Sequence, residues 1–218
     1  MISNRLKTLT KYINHNDKII DIGCDHALLD IYLVKNKLID SLIVSDVHTS
    51  ALEAGIANIK KSRLSNKITA RLGNGLEVLN TQDDINTILI SGMGTSTIIS
   101  ILDNPYIDKI DKLILQSNND HFELRSKIVS LGFYIDAEEY FVDNKKNYIN
   151  IVFIRGHKKY SKNELRYGPI LIHNKEYLEF ELHNCLHIKR LIPSDKFLIN
   201  WKLNREIKLL NKLLKKIK

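Results

Sequence analysis

Apolar residues along this chain arrive in short blocks separated by single acids, glycines and amides. Lys18 to Ile22, Ser41 to Ser45, Asn86 to Ile90 and Lys112 to Leu115 are brief and rich in Ile, Leu and Val, the mark of buried strands, and Lys67 to Leu72 alternates apolar and polar residues as a further strand. Longer stretches with helical spacing lie between them: Leu28 to Asn36, about Ser50 to Ser62, Thr95 to Leu102 and His121 to Leu131. A short helix over Leu6 to Ile13 precedes the first strand. Thr49 or Ser50 is placed to cap the second long helix, with Glu53 at capping-box spacing from Ser50. The helix from Thr95 stops before Asn104-Pro105, and the one from His121 closes at Gly132.

Strand and helix alternate five times, which predicts a parallel sheet. The rhythm then changes. Phe133 to Val142 and Tyr148 to Arg155 both read as strands, and only Asp143 to Asn147 lie between them. Five polar residues cannot hold a crossover helix, so these two strands form an antiparallel hairpin. Residues 157–174 read as irregular, with Gly168-Pro169 as a breaker. Helices follow over Lys175 to Leu191 and Lys196 to Lys218, joined near Pro193-Ser194-Asp195. In the second, Leu203, Ile207, Leu210, Leu214 and Ile217 form a heptad seam, as in a helical hairpin. Arg205, Lys208, Lys212, Lys215 and Lys216 occupy the opposite face. The expected division is residues 1–156 as an α/β domain and 157–218 as a helical one.

Charge sharpens that division. The chain carries 33 Lys/Arg against 25 Asp/Glu, a net of +8. Residues 157–218 hold 15 of those bases and 6 of the acids, so they carry +9 and the remainder −1. A basic excess confined to the helical segment points to a polyanion such as nucleic acid, although lysine is abundant throughout. Two cysteines, Cys24 and Cys185, lack CxxC partners, which argues against a disulfide scaffold or a structural zinc. No apolar run is long enough to span a bilayer and no secretory signal is evident, so a cytoplasmic protein is expected.

Ligand-capable residues gather at the carboxyl ends of the five parallel strands, where α/β sheets bind ligands. Asp21-Ile22-Gly23-Cys24-Asp25-His26-Ala27 leaves the first strand and turns directly into a helix. Its lone glycine fails the dinucleotide spacing G-x-G-x-x-G, which disfavours a nicotinamide oxidoreductase. Asp46 ends the second strand, placed either to accept from both ribose hydroxyls or to cap the next helix. Asn74, between Gly73 and Gly75, could accept from an adenine amino group or simply serve as a left-handed turn residue. Gly92-Met93-Gly94 closes the fourth strand, where small residues permit close approach and Met93 can pack on a cofactor. Gln116 and Asn118 follow the fifth and offer amides to a base edge. His26 is as readily structural as functional, and Cys24 reads as packing rather than a nucleophile.

Five parallel strands finished by an antiparallel hairpin resemble the methyltransferase variant of the Rossmann-like α/β fold. More specifically, Asp21 to Ala27, Gly73 to Val78, Ile90 to Gly94 and Leu113 to Gln116 resemble the bacterial tRNA N1-adenine-22 methyltransferases over nearly the whole chain. The family usually has Asp where this chain has Asn74, Gly where it has Thr95 and Pro where it has Ser117. The resemblance implies methyl transfer from S-adenosyl-L-methionine to N1 of adenine 22 in the D-arm region of tRNA, by a monomer needing no metal and no membrane. It implies cofactor contacts from Asp21, Gly23, Cys24, His26, Asp46, Val47, Asn74, Gly75, Gly92 and Met93. Adenine N1 has a free lone pair at neutral pH, so the task is chiefly positioning. Asp25 is the expected carboxylate for the positive charge that develops on the base, or else a ligand for the cofactor's amino end. Gln116 and Asn118 are the expected orienting groups. A small-molecule methyltransferase and a catalytically silent RNA-binding protein are the competing readings.

Overall fold

The first strand, β1 (Ile19–Ile22), has all four residues buried, and so do β2 (Leu42–Asp46) and β5 (Lys112–Ser117). Strands buried on both faces read as unbroken apolar runs, which is why no alternation appears in their sequences. The computed structural model describes residues 2–217. Seven strands form one sheet in the order β3-β2-β1-β4-β5-β7-β6, with β3 at Ile68–Leu72, β4 at Thr87–Met93, β6 at Phe133–Asp143 and β7 at Lys146–Arg155. β1 to β5 pair in parallel, and β7 runs antiparallel between β5 and β6. This is the Rossmann-like methyltransferase arrangement expected from the sequence.

The hairpin is tighter than its sequence suggested. Asp143 pairs with Lys146, leaving Asn144 and Lys145 as a two-residue turn with φ of +48° and +64°. Positive φ at both central positions is the type I′ geometry that matches strand twist. β4 also runs further than expected, through a bulge between Ser91 and Met93 that carries it past the end of the neighbouring β1.

Helices flank the sheet: α1 (Asn4–Leu9), α2 (Leu28–Lys35), α3 (Thr49–Lys61), α4 (Thr95–Leu102) and α5 (His121–Ser130). The capping box expected at Ser50 and Glu53 does not form. His48 occupies the cap position of α3 without a side-chain bond to the helix, and its own N–H is taken by Asp46 Oδ1 at 2.9 Å.

Residues cluster into two units, Met1–Lys158 and Lys159–Lys218. In the second, the stretch read as irregular contains a short helix, α6 (Lys162–Tyr167). Its capping box is complete: Glu164 N–H donates to Ser161 Oγ at 3.2 Å, and Ser161 N–H to Glu164 Oε2 at 2.6 Å. Two satisfied amides let six residues hold a helix that periodicity alone cannot reveal. α7 (Lys175–Leu191) and α8 (Phe197–Leu214) pack against each other as a hairpin. α8 stops before Ile217, and the expected end at Lys218 lies outside the described residues. Leu210 of the seam is fully buried, and Arg166 Nε meets Glu206 Oε1 at 2.6 Å.

Candidate functional site

The segment leaving β1 is held in an unusual backbone path. Gly23, Asp25 and Ala27 all have positive φ, at +78°, +50° and +52°. Left-handed conformations at Asp and Ala are sparsely populated and persist only where neighbours over-determine them. Those neighbours are present. Gly23 and Cys24 N–H both donate to Ser45 O, at 2.8 and 3.1 Å, and Ala27 N–H donates to Cys24 O at 2.8 Å. Asp25 N–H reaches Asp46 Oδ2 at 3.3 Å.

Asp46 is the junction of three strand ends. Its carboxylate accepts from Asp25 and His48, and its carbonyl accepts from Gly73 N–H at 3.0 Å. It therefore does not act as a side-chain cap of α3. Asn74 is extended, with φ of −92°, and the left-handed position belongs to Gly75. The turn reading of Asn74 thus gives way to an amide whose Nδ2 donates to Glu77 Oε1 at 3.2 Å, leaving its Oδ1 as an acceptor.

Gly92, at the bend of β4, has φ of +80° and is covered by a guanidinium: a Cβ there would lie 3.2 Å from Arg5 Nη1. Arg5 comes from α1 and was not anticipated, because nothing local marks it. Its Nη1 donates to Gln116 Oε1 at 2.6 Å, and Gln116 Nε2 donates to Asn150 Oδ1 at 2.6 Å. Asn150 Nδ2 then donates to Thr8 Oγ1 at 2.8 Å, whose hydroxyl donates to Arg5 O at 2.7 Å. This closed ring fixes both ends of Arg5, while Nη2 meets no protein acceptor among the described residues.

Together these loops line a cavity of about 490 Å³ at the carboxyl edge of the sheet. Asp21, Gly23, Cys24, Asp25, His26, Asp46, Val47, Asn74, Gly75, Gly92 and Met93 all reach its wall, as does Arg5. Met93 lays its methyl end on Gly23, where any side chain would overlap it. Gln116 and Asn118 do not line this cavity. Gln116 is fully buried with both ends of its amide engaged, because β7 covers its strand. Asn118 instead pins the bend of β4, its Nδ2 donating to Gly92 O at 2.7 Å and its N–H to Met93 O at 2.9 Å. Two positions that depart from the family pattern prove to be partners: the hydroxyls of Thr95 and Ser117 lie 2.8 Å apart in the buried wall behind Met93.

Beneath the cavity, Asp21 and Asp30 form a buried carboxyl pair. The two carboxyls hydrogen-bond each other, and Asp30 also meets a backbone amide. Burial, followed by repulsion from Asp30 and Asp46, raises the pKa of Asp21 well above the usual carboxylate range, partly offset by Arg5. Burial pushes Asp30 up to about 7. The pair therefore keeps one proton near neutrality. Burial and the same carboxylates also push the Cys24 thiol up, so it is no thiolate nucleophile.

A pH dependence follows. The folded pair binds more protons than the unfolded chain between about pH 4 and 7. Stability from this source is present at low pH and lost as pH rises through that window. His121 opposes it: burial lowers its pKa to about 4, so its contribution is lost as pH falls below its ordinary value. Asp30→Asn isolates the first effect, since His121 is common to both proteins. Urea unfolding at pH 5 and pH 8 should show the variant gaining on the parent at the higher pH. Parallel pH dependences in the two proteins would rule the pair out.

The cavity wall carries three acids and, among the described residues, one arginine. Such a surface repels a pyrophosphate and suits a ligand with cationic groups. Three acids beside one arginine fit the ammonium and the carboxylate at the methionyl end of S-adenosylmethionine. Among the described residues no three His, Cys, Asp or Glu side chains cluster to hold a metal, and no helix is long and apolar enough to cross a membrane.

Comparison with known proteins agrees with this geometry. A family model described as a methyltransferase domain matches residues 2–151. The chain is 35% identical over 120 residues to a Bacillus subtilis tRNA (adenine(22)-N(1))-methyltransferase, covering 54% of this chain and 50% of that protein. The match thus spans about half the length of that curated relative. M. capricolum TrmK, solved with S-adenosyl-homocysteine, superposes with a TM-score of 0.86 at 30% identity over 100% of both chains. A Streptococcus pneumoniae protein solved with S-adenosyl-L-methionine gives a TM-score of 0.90 at 29% identity, covering 98% of this chain and 100% of that one.

Proposed function

We infer the function from a premise of kinship: the chain belongs to the tRNA (adenine-22-N1)-methyltransferase family, TrmK, within the methyltransferase-domain proteins. It transfers a methyl group from S-adenosylmethionine to N1 of adenine 22 in tRNA. The observation that carries this reading is the acid-lined cavity at the carboxyl edge of the sheet, with Arg5 as its one cation among the described residues.

The cofactor supplies an electrophilic methyl group; the chain supplies position. Asp46, already ordered by two backbone amides, would receive the ribose hydroxyls, with Val47 and Gly75 beside the adenine and Asn74 Oδ1 accepting from its amino group. Asp21 and the strained turn through Gly23, Cys24 and His26 would hold the amino end. Arg5 would meet the carboxylate of the same methionyl group, a charge match that needs one cation among the acids. Gly92 and Met93 leave room for close approach at the bend of β4, which Asn118 holds rigid.

Asp25 is the exposed carboxylate on this wall, its side chain 71% accessible and 3.7 Å from His26 Nε2. A carboxylate there would stabilise the positive charge that the adenine gains as its N1 is methylated. Gln116 acts through Arg5 rather than on the base. A base in folded tRNA must leave its stack to enter such a cavity. The +9 carried by residues 157–218 would grip phosphates, with affinity falling steeply as salt rises. A tRNA substrate supports a cytoplasmic enzyme.

The decisive test incubates the protein with methyl-labelled S-adenosylmethionine and unmodified tRNA transcripts, then identifies the modified nucleoside. Label is expected in N1-methyladenosine and should vanish when adenine 22 is replaced by guanine. Label that persists in that transcript would move the target elsewhere. Absence of transfer from a cofactor-binding protein would overturn the reading.

A further inference from the structure

The second unit displays aromatic side chains that methyl transfer does not require. α8 opens with Phe197 and Trp201, which are 80% and 54% exposed. Their four-residue spacing places them one turn apart on the same face. Arg205, four residues further on, lays its guanidinium over the Trp201 ring with Cζ 4.7 Å from the centroid. Exposed Lys208, Lys212 and Lys215 continue the row. At about 100° per residue, these six positions fall within a sector about 80° wide. Leu203, Ile207, Leu210 and Leu214 fall on the other side, where α8 packs on α7. Glu206, the acid within α8, lies outside the sector and is held by Arg166.

We propose that this outer face of α8 is an RNA-binding strip on which Phe197 and Trp201 stack against unpaired bases, while Arg205, Lys208, Lys212 and Lys215 neutralise phosphates of the same strand. Every base has a π-face, so an exposed aromatic beside a row of cations binds single strands without reading sequence. The guanidinium lies over the Trp201 ring, and the residue still stays more than half exposed. Charge complementarity selects the occupant. A second copy of this chain would set four cations against four across a two-fold axis. A membrane surface calls for an apolar face along the helix length, whereas here only the first turns of the exposed face are apolar. The strip rests on the tRNA reading for the name of its RNA.

Trp201 is the only tryptophan in the chain, so its emission reports on this face in the unaltered protein. Titration with unmodified tRNA should quench it. A fully paired RNA duplex should quench it much less, and phosphatidylserine vesicles should not shift it to the blue. Phe197→Ala and Trp201→Ala should each weaken tRNA binding by about tenfold or more. The salt dependence should stay unchanged, and Trp201→Phe should restore affinity. Replacing Arg205, Lys208 and Lys212 together by Gln should reduce the slope of log affinity against log salt by about two. S-adenosylmethionine binding should be untouched in all of them.

Unquenched emission on tRNA binding, with full affinity in both alanine variants, would overturn the strip. A blue shift on vesicles without quenching by RNA would give the face to a membrane. Quenching by tRNA without any methylation of it would leave the strip standing and remove the proposed reaction. Methylation with no quenching and no loss of affinity would do the reverse.

Discussion

Replacing Asp46 by alanine is expected to weaken S-adenosylmethionine binding by about a hundredfold, the largest loss of ligand affinity from any single change in the cavity. The argument rests on what the carboxylate already holds. It accepts from the backbone of Asp25 and of His48, so it orders the turn after β1 and the start of α3 together. Its carbonyl anchors Gly73 as well, but that bond survives the substitution. Alanine removes two charge-assisted bonds and the acceptors offered to the ribose. At about 1.5–3 kcal/mol for each bond to a charged group, a loss near 3 kcal/mol corresponds to about two orders of magnitude. Asp46→Asn keeps one acceptor and should fall between. Calorimetric titration with S-adenosyl-homocysteine measures the effect, and a thermal melt verifies the fold. An affinity close to that of the parent would mean that the ribose is bound elsewhere.

The largest loss of stability is expected from Arg125→Met. Arg125 and Glu138 are wholly buried side chains, and Nε meets Oε1 at 2.7 Å between α5 and β6. Removing the cation strands a carboxylate in the core, at a cost of about 3–5 kcal/mol. For a protein of this size the melting temperature should drop by roughly 10 °C. The double replacement Arg125→Met with Glu138→Leu should recover most of the loss, because neither charge then needs solvation. A single variant that melts with its parent would show the pair to be dispensable.

The effect should extend to the cavity. α5 begins where the segment Ser117 to Asp120 holds Thr95 and Gly92: Thr95 N–H donates to Asn119 Oδ1 at 2.9 Å, and Asn118 holds Gly92 O. Loosening α5 therefore frees the bend of β4. Cofactor affinity in the single variant should decline at temperatures below its melting transition.

Local pattern carried much of this protein. Buried runs of Ile, Leu and Val were enough to place four parallel strands, and alternation of apolar and polar residues placed the half-exposed β3. Five polar residues between two strand-like stretches were enough to make the last pair antiparallel. Asp21, Gly23, Asp46, Asn74 and Gly92 could be read as one site because strands of a parallel sheet end on one edge, and that rule needs no knowledge of side-chain packing. The α6 capping box was equally legible in the spacing of Ser161 and Glu164, ahead of the Gly168-Pro169 breaker.

What lay beyond the sequence were contacts between residues far apart in the chain. Gln116 looked like a base-contacting amide at a strand end, and only the insertion of β7 beside β5 buries it against Asn150. Arg5 carries no local mark, since its partner Gln116 is 111 residues away. Thr95 and Ser117 read as separate departures until folding set their hydroxyls against each other. The pKa values of Asp21 and Asp30 likewise depend on exclusion of water, a property of the folded interior. Periodicity records which side of its own element a residue faces. Which distant side chain meets it there, and whether water remains between them, is decided by tertiary packing.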